Sequence, residues 1–368
     1  MKKRLLATVL AGAMVLSMAA CGSSNANKTE SAAASETANA STEAGEIQAA
    51  AQEGNASSEL NIYMWQQYIS DDLIKNFETE NNCKVNLSYM SDNADAINKL
   101  TAGGGDEYDL IMTCDAYMKS LIAGGYVEEL NLDNIPNSSN ISDTYWVSKG
   151  YCVPYLMNYI YVVYDSETCP VEIHSYNDLL QSGLKISTID GARNLFPIAL
   201  VALGYDPNST NESEIAEAYE WLQKFNANVV AYGNAEQNLT NGTANVAVTY
   251  DGNASWAMKE KNTIKVADFT SDPIQLGIDL FVMPKGAKHV DLAEKFLNYI
   301  CTAEVMAKNL EEFPYSCPND AAVAAASDDY KNDPARDFSY KENVFFQEDV
   351  GDALTIYNDY YQKLKVGE

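Results

Sequence analysis

Leu60-Asn-Ile-Tyr-Met-Trp65, Asp71-Asp-Leu-Ile-Lys-Asn-Phe77 and Lys84-Val-Asn-Leu-Ser-Tyr89 are the three pieces whose order decides the fold class. The first alternates its side chains up to an aromatic, which is the period of a strand. Leu73, Ile74 and Phe77 share one helical face, so residues 71–82 read as an amphipathic helix, and residues 84–89 return to the strand period. Strands joined through a helix pair in parallel, because an antiparallel neighbour needs only a tight turn. The pattern continues outward with a helix at 94–102 stopped by Gly103-Gly104-Gly105, a strand at 108–112 and a helix at 117–124 that ends in glycine. It recurs as a strand at 185–189, helices at 192–203 and 213–225, and strands at 244–250 and 278–283. Helices near 291–301 and 349–364 close the chain. The fold class is α/β, with enough elements for two lobes.

The segment before this pattern concerns export. Lys2, Lys3 and Arg4 precede an apolar run, Leu5 to Leu16, that is too short for a permanent membrane span. Small residues and Cys21 follow, which resembles a bacterial lipoprotein signal with Met18 where such signals usually have Leu. The expectation is a signal at 1–20 and a lipid on Cys21, which becomes the new N-terminus. Residues 21–58 are almost entirely small and polar with no aromatic, so they bury too little to offset their chain entropy and form a flexible tether. The protein is then lipid-anchored on the outer face of the cell membrane, on the periplasmic side if the cell is Gram-negative.

The net charge is −28, and three units more negative once Lys2, Lys3 and Arg4 are removed. That field repels nucleic acid and anionic ligands and draws cations, although solubility alone also accounts for it. Apart from Cys21 there are six cysteines, an even number that permits disulfides or free thiols with no pairing favoured. Catalytic and cofactor motifs are missing. The two histidines, His174 and His289, are far from the spacing of a metal pair, and there is no nucleophile elbow, phosphate loop or Cys-x-x-Cys. No cofactor, metal or catalytic residue is assigned.

From Leu60 to the C-terminus a series of short pieces keeps its order: Leu60-Asn-Ile-Tyr-Met-Trp-Gln-Gln-Tyr68, Ala102-Gly-Gly-Gly-Asp-Glu-Tyr-Asp-Leu110, Val153-Pro-Tyr155, Asp190-Gly-Ala-Arg193, Asp279-Leu-Phe-Val-Met-Pro284 and Asp349-Val-Gly351. In this set the chain resembles the spermidine/putrescine-binding proteins of the type II periplasmic-binding-protein superfamily. The resemblance implies a two-lobed fold with the ligand cleft between the lobes, 59–163 with 279–322 forming lobe 1 and 164–278 with 323–368 forming lobe 2. It implies crossover strands near Tyr164 and Asp279 and closure of the lobes on the ligand. It further implies a monomeric receptor that passes a small cationic solute, a polyamine, to the permease and ATPase of an ABC importer.

A polyamine is a methylene rod with cationic nitrogens, so its cleft needs aromatic faces, carboxylates at the ammonium ends and neutral acceptors between them. The resemblance places Trp65 and Tyr68 on the first wall, Tyr250 where the family has Trp, and Asp279 as the carboxylate that receives an ammonium. Tyr315, Gln347, Cys114, Asn194 and Asn234 complete the implied ligand set. Read without the family, Trp65 is a core aromatic at a strand end and Gln347 a helix cap. Asp279 is different, since an acid inside an apolar strand needs a partner. The chain departs from the family at Asn194 and Gly191, where acids are expected, at Gly277, where a Trp is expected, and at Cys114 and Ala116, which replace a serine and a tyrosine. Asp115, Asp190 and Asp251 flank these positions as alternative acids. The readings left open are a receptor for another amine, a thiamine-like or a neutral solute, and a secreted lipoprotein enzyme.

Overall fold

Among the described residues, ten strands position everything that follows: β1 (Ser58–Met64), β2 (Cys83–Tyr89), β3 (Leu110–Cys114), β4 (Val153–Asp165), β5 (Ile186–Thr188), β6 (Val229–Tyr232), β7 (Val246–Tyr250), β8 (Ile264–Val266), β9 (Ile274–Val282) and β10 (Val344–Phe345). The computed structural model describes residues 58–269, 271–336 and 342–367. The expected signal segment, Cys21 and the tether up to residue 57 lie outside the described residues. The strands form one sheet in the order β2-β1-β3-β9-β4-β7-β5-β6, with β8 on β4 and β10 on β9.

At each end of the sheet the pairing is parallel, as the intervening helices require: β1 lies between β2 and β3, and β5 between β6 and β7. The centre differs from the parallel expectation. There β9 pairs antiparallel with both β3 and β4, and β4 antiparallel with β7. β4 and β9 are long strands that run between the two ends, so no crossover helix sets their direction.

Helix boundaries follow local chemistry. Asp71–Asn81 buries Leu73, Ile74 and Phe77 and ends at Asn82 in the left-handed region, φ 47°. Ala192–Leu203 is apolar on nearly every side and stops at Gly204, φ 80°. Pro197 stands inside this helix and lacks the N–H that would bond the carbonyl of Arg193. The side-chain amide of Gln347 donates to that carbonyl instead. In the Gly103–Gly105 run, Gly103 (φ 93°) is the helix stop. Gly105 serves close packing, since a Cβ there would lie 2.2 Å from the Lys285 carbonyl oxygen.

Two apolar cores are present. One gathers Leu60 through Leu156 and Leu280 through Tyr330, and the other Ile160 through Ile274 and Ala335 through Leu364. β4 therefore leaves one core after Leu156 and enters the other at Ile160, and β9 does the reverse. Between them Met157, Leu276 and Ile278 form a separate small cluster. All six described cysteines are free thiols, five of them buried. Among the described residues no helix is long and apolar enough to cross a membrane.

Candidate functional site

The antiparallel centre brings the chemistry together. Register sets Cys114 of β3 opposite Asp279 of β9, Gly277 of β9 opposite Asn158 of β4, and Tyr250 of β7 opposite Ile160 of β4. Residues far apart in sequence thus meet where the strands pass between the cores.

Asp279 is the hub. The residue is 6% exposed. The Tyr68 hydroxyl donates to Oδ2 at 2.7 Å, and Asn158 Nδ2 donates to the same oxygen at 2.6 Å. Asn158 Oδ1 lies 3.0 Å from the Tyr68 hydroxyl, which closes a three-membered network. No lysine, arginine or histidine forms an ion pair with Asp279 among the described residues. Burial pushes its pKa up to about 6, against the lowering effect of Tyr68, Asn158 and the indole N–H of Trp65. A buried carboxylate without a cation is costly.

Aromatic rings surround this acid. The Tyr68 and Tyr315 centroids are 4.9 Å apart and tilted, and Trp256 meets Tyr315 edge-on at 6.0 Å. Trp65, half-buried, follows the end of β1. The turn that carries Tyr68 is fixed from behind. The Tyr155 hydroxyl donates to the Tyr68 carbonyl at 2.9 Å, Asn309 Nδ2 donates to it at 3.0 Å, and Asn309 Oδ1 accepts from the Ser70 N–H at 3.0 Å. Tyr315 packs where Gly252 leaves room, because a Cβ at Gly252 would lie 2.6 Å from the Tyr315 ring. The neighbours of the two tyrosines Tyr250 and Tyr315 are tied together: Asp251 Oδ2 accepts from the Ser316 N–H at 2.8 Å and from its hydroxyl at 2.7 Å. Arg336 faces the same carboxylate at 3.4 Å.

The remaining predicted residues fall around this centre at different depths. The Cys114 thiol is pushed well up by burial and by the charges of Asp115 and Asp279, so it is protonated. Burial raises Asp115 to about 7, opposed by the Ile278 N–H that donates to it at 3.3 Å. Tyr250 is raised by burial and then by the charge of Asp279. Asn194 reaches Tyr250, donating from Nδ2 to its hydroxyl at 3.3 Å and to the Asp190 carbonyl at 2.7 Å. Asn234, with φ 51°, lines a cavity beside Tyr250. Gln347 is drawn towards Arg193 and is no cap of the last helix, whose N-cap is Asp352. Of the flanking acids, Asp251 is committed to Ser316 and Arg336, and Asp190 pairs with Lys365 at 3.1 Å.

A family model for bacterial extracellular solute-binding proteins matches residues 72–337, more than half of the chain. The chain belongs to that family. The spermidine/putrescine-binding periplasmic protein 1 of Haemophilus influenzae is 28% identical over 327 residues, covering 85% of this chain and 90% of its own. The spermidine/putrescine-binding periplasmic protein of Salmonella typhimurium is 29% identical over 320 residues, covering 84% and 92%. A solved structure from Listeria monocytogenes assigned to a spermidine/putrescine ABC transporter aligns with a TM-score of 0.78 at 27% identity, covering 85% of this chain and 100% of that one. This solute-binding protein has the two-lobe α/β fold of its structural neighbours.

Sequence reasoning missed one residue of this solute-binding protein's hub. Asn158 is the single amide in the run from Val153 to Tyr164, and a lone amide inside a buried strand is a signal of the same kind that singled out Asp279. Among the described residues, no group of three or more His, Cys, Asp or Glu side chains is placed to hold a metal ion.

Proposed function

We propose that this solute-binding protein captures a polyamine outside the cell and delivers it to the permease and ATPase of an ABC importer. The observation that carries the reading is Asp279: a buried carboxylate, paired with no cation among the described residues, at the foot of aromatic rings from both cores. An ammonium group entering there supplies the missing charge. Tyr68, Tyr315, Trp65 and Tyr250 then lie along the methylenes, each aromatic face attracting the cations by roughly 0.5–2 kcal/mol. The relatives named for spermidine and putrescine support the same solute class, and the net charge of −28 favours the approach of cations.

In this reading Cys114, Asn194, Asn234 and Gln347 are polar groups of the cleft wall, Gln347 through the oxygen its bond to Arg193 leaves available. The lobes close about β4 and β9 near residues 157–158 and 276–278, between the two cores and inside the limits at 164 and 279 taken from the sequence. The protein acts as a monomer held to the membrane by a lipid on Cys21, and it performs no chemistry on its solute.

The test is thermal unfolding of the purified protein with putrescine, cadaverine, spermidine, spermine, thiamine, amino acids and sugars. A solute at a hundred times its Kd adds about 2.7 kcal/mol of stability. Stabilisation by amines and by no neutral solute supports the reading; stabilisation by sugars or acidic amino acids alone overturns it.

A further inference from the structure

A cavity of about 170 Å³ opens beside Tyr250, lined among others by Asp190, Asn234, Glu236 and Asn253. It is smaller than the roughly 300–1,000 Å³ of sites that enclose a whole drug-sized ligand. The space suits one end of a chain-like solute. Its two acids differ in what they already hold. Asp190 accepts from Lys365 at 3.1 Å and from the Gly191 N–H at 2.9 Å, so its charge is compensated. Glu236 is half-buried and accepts from Asn253 Nδ2 at 3.2 Å, and among the described residues no lysine, arginine or histidine pairs with it.

Tyr250 links the cavity to the surroundings of Asp279. Tyr250 is a wall of the cavity and also feels the charge of Asp279. Tyr315 feels the charges of both Asp279 and Glu236. Tyr250 thus shares the cavity wall with Glu236 and lies within electrostatic reach of Asp279, and among the described residues neither carboxylate is ion-paired with a cation. Asn194 does not serve as the second anion: it is a neutral amide whose Nδ2 is spent on Asp190 and Tyr250.

We infer that Glu236, oriented by Asn253, receives the second cationic end of the solute in this cavity, with the methylenes lying along Tyr250 between it and Asp279. The inference rests on the amine-receptor reading and adds to it a specificity: the protein selects solutes with two separated ammonium groups over those with one. The acid moves from the helix that begins at Ala192 to the helix Ala235–Thr240 that follows β6.

Calorimetric titration of the wild type, Glu236→Gln, Glu236→Asp and Asp279→Asn with putrescine, cadaverine and n-butylamine tests this. Glu236→Gln is expected to weaken diamines by about tenfold and to leave n-butylamine unchanged, since the amide keeps the shape and removes the charge. Glu236→Asp keeps the charge and is expected to retain the preference for diamines. The ratio of diamine to monoamine affinity is independent of the fraction of protein that is folded. If Glu236→Gln binds diamines as the wild type does while Asp279→Asn does not, the second subsite is disproved and the amine cleft stands. If the wild type binds no amine, both fall.

Discussion

Asp279→Asn is expected to separate amine binding from stability in a single change. The carboxyl titrates at about 6 in the folded chain against 3.8 ordinarily, raised chiefly by burial. The folded state holds the proton to higher pH than the unfolded state, so the stability this group contributes is full below about pH 4 and is lost as pH rises through about 6. At 1.36 kcal/mol per pH unit, the charged carboxylate destabilises the ligand-free fold by about 3 kcal/mol at pH 7.5. Asparagine keeps an oxygen for the Tyr68 hydroxyl and Asn158 Nδ2 and carries no charge to desolvate. The ligand-free variant should therefore melt several degrees above the wild type at pH 7.5, given roughly 2–4 °C per kcal/mol for chains of this order. At pH 4.5 most of that difference should vanish. Binding should move the other way, with amine affinity falling by about 2–5 kcal/mol because the entering ammonium is left without its counter-charge. Thermal unfolding at both pH values, with and without putrescine, measures all three. A variant that is less stable than the wild type at pH 7.5, or that binds putrescine equally well, would refute the reasoning.

Three further outcomes are expected. Amine affinity should weaken as pH falls below about 6, by up to about tenfold per unit, because Asp279 must lose its proton to meet the cation; a flat titration series between pH 7.5 and 5 counts against that site. Gly252→Ala forces a Cβ to 2.6 Å from the Tyr315 ring, an overpacking of about 1–3 kcal/mol that should lower the melting temperature and loosen amine binding together. Gly277→Trp adds a ring where a Cβ meets nothing within 4 Å; it should leave stability nearly unchanged and tighten amine binding in calorimetry, and an unaltered Kd places that face outside the cleft.

What could be read from the sequence depended on the range of the interaction. The strand–helix–strand beginning at Leu60 was legible because periodicity and caps are local, and the helices Asp71–Asn81 and Ala192–Leu203 lie within a residue of their expected limits. Periodicity did not give β4, and only the family resemblance put a crossover strand near Tyr164, because both faces of β4 are covered and its apolar run of Leu156, Ile160, Tyr161, Val162 and Val163 shows no alternation. Its antiparallel pairing with β9 joins residues more than a hundred positions apart and leaves no local trace. Asp279 announced itself as an acid within an apolar strand. Glu236 did not, since one acid among 52 Asp and Glu is uninformative until the fold sets it in a cavity wall with Tyr250 and, among the described residues, without an ion pair. The bond from Gln347 to the Arg193 carbonyl likewise showed only in the fold, where Pro197 leaves that carbonyl without its backbone donor.

A crystal structure of the protein grown with putrescine addresses the central claim most directly. The account predicts one ammonium nitrogen within hydrogen-bond distance, about 2.7–2.9 Å, of the Asp279 carboxylate, the methylenes against Tyr68, Tyr315 and Tyr250, and the lobes closed over them. Density for the amine elsewhere, with the Asp279 carboxylate still facing no cation, would contradict it.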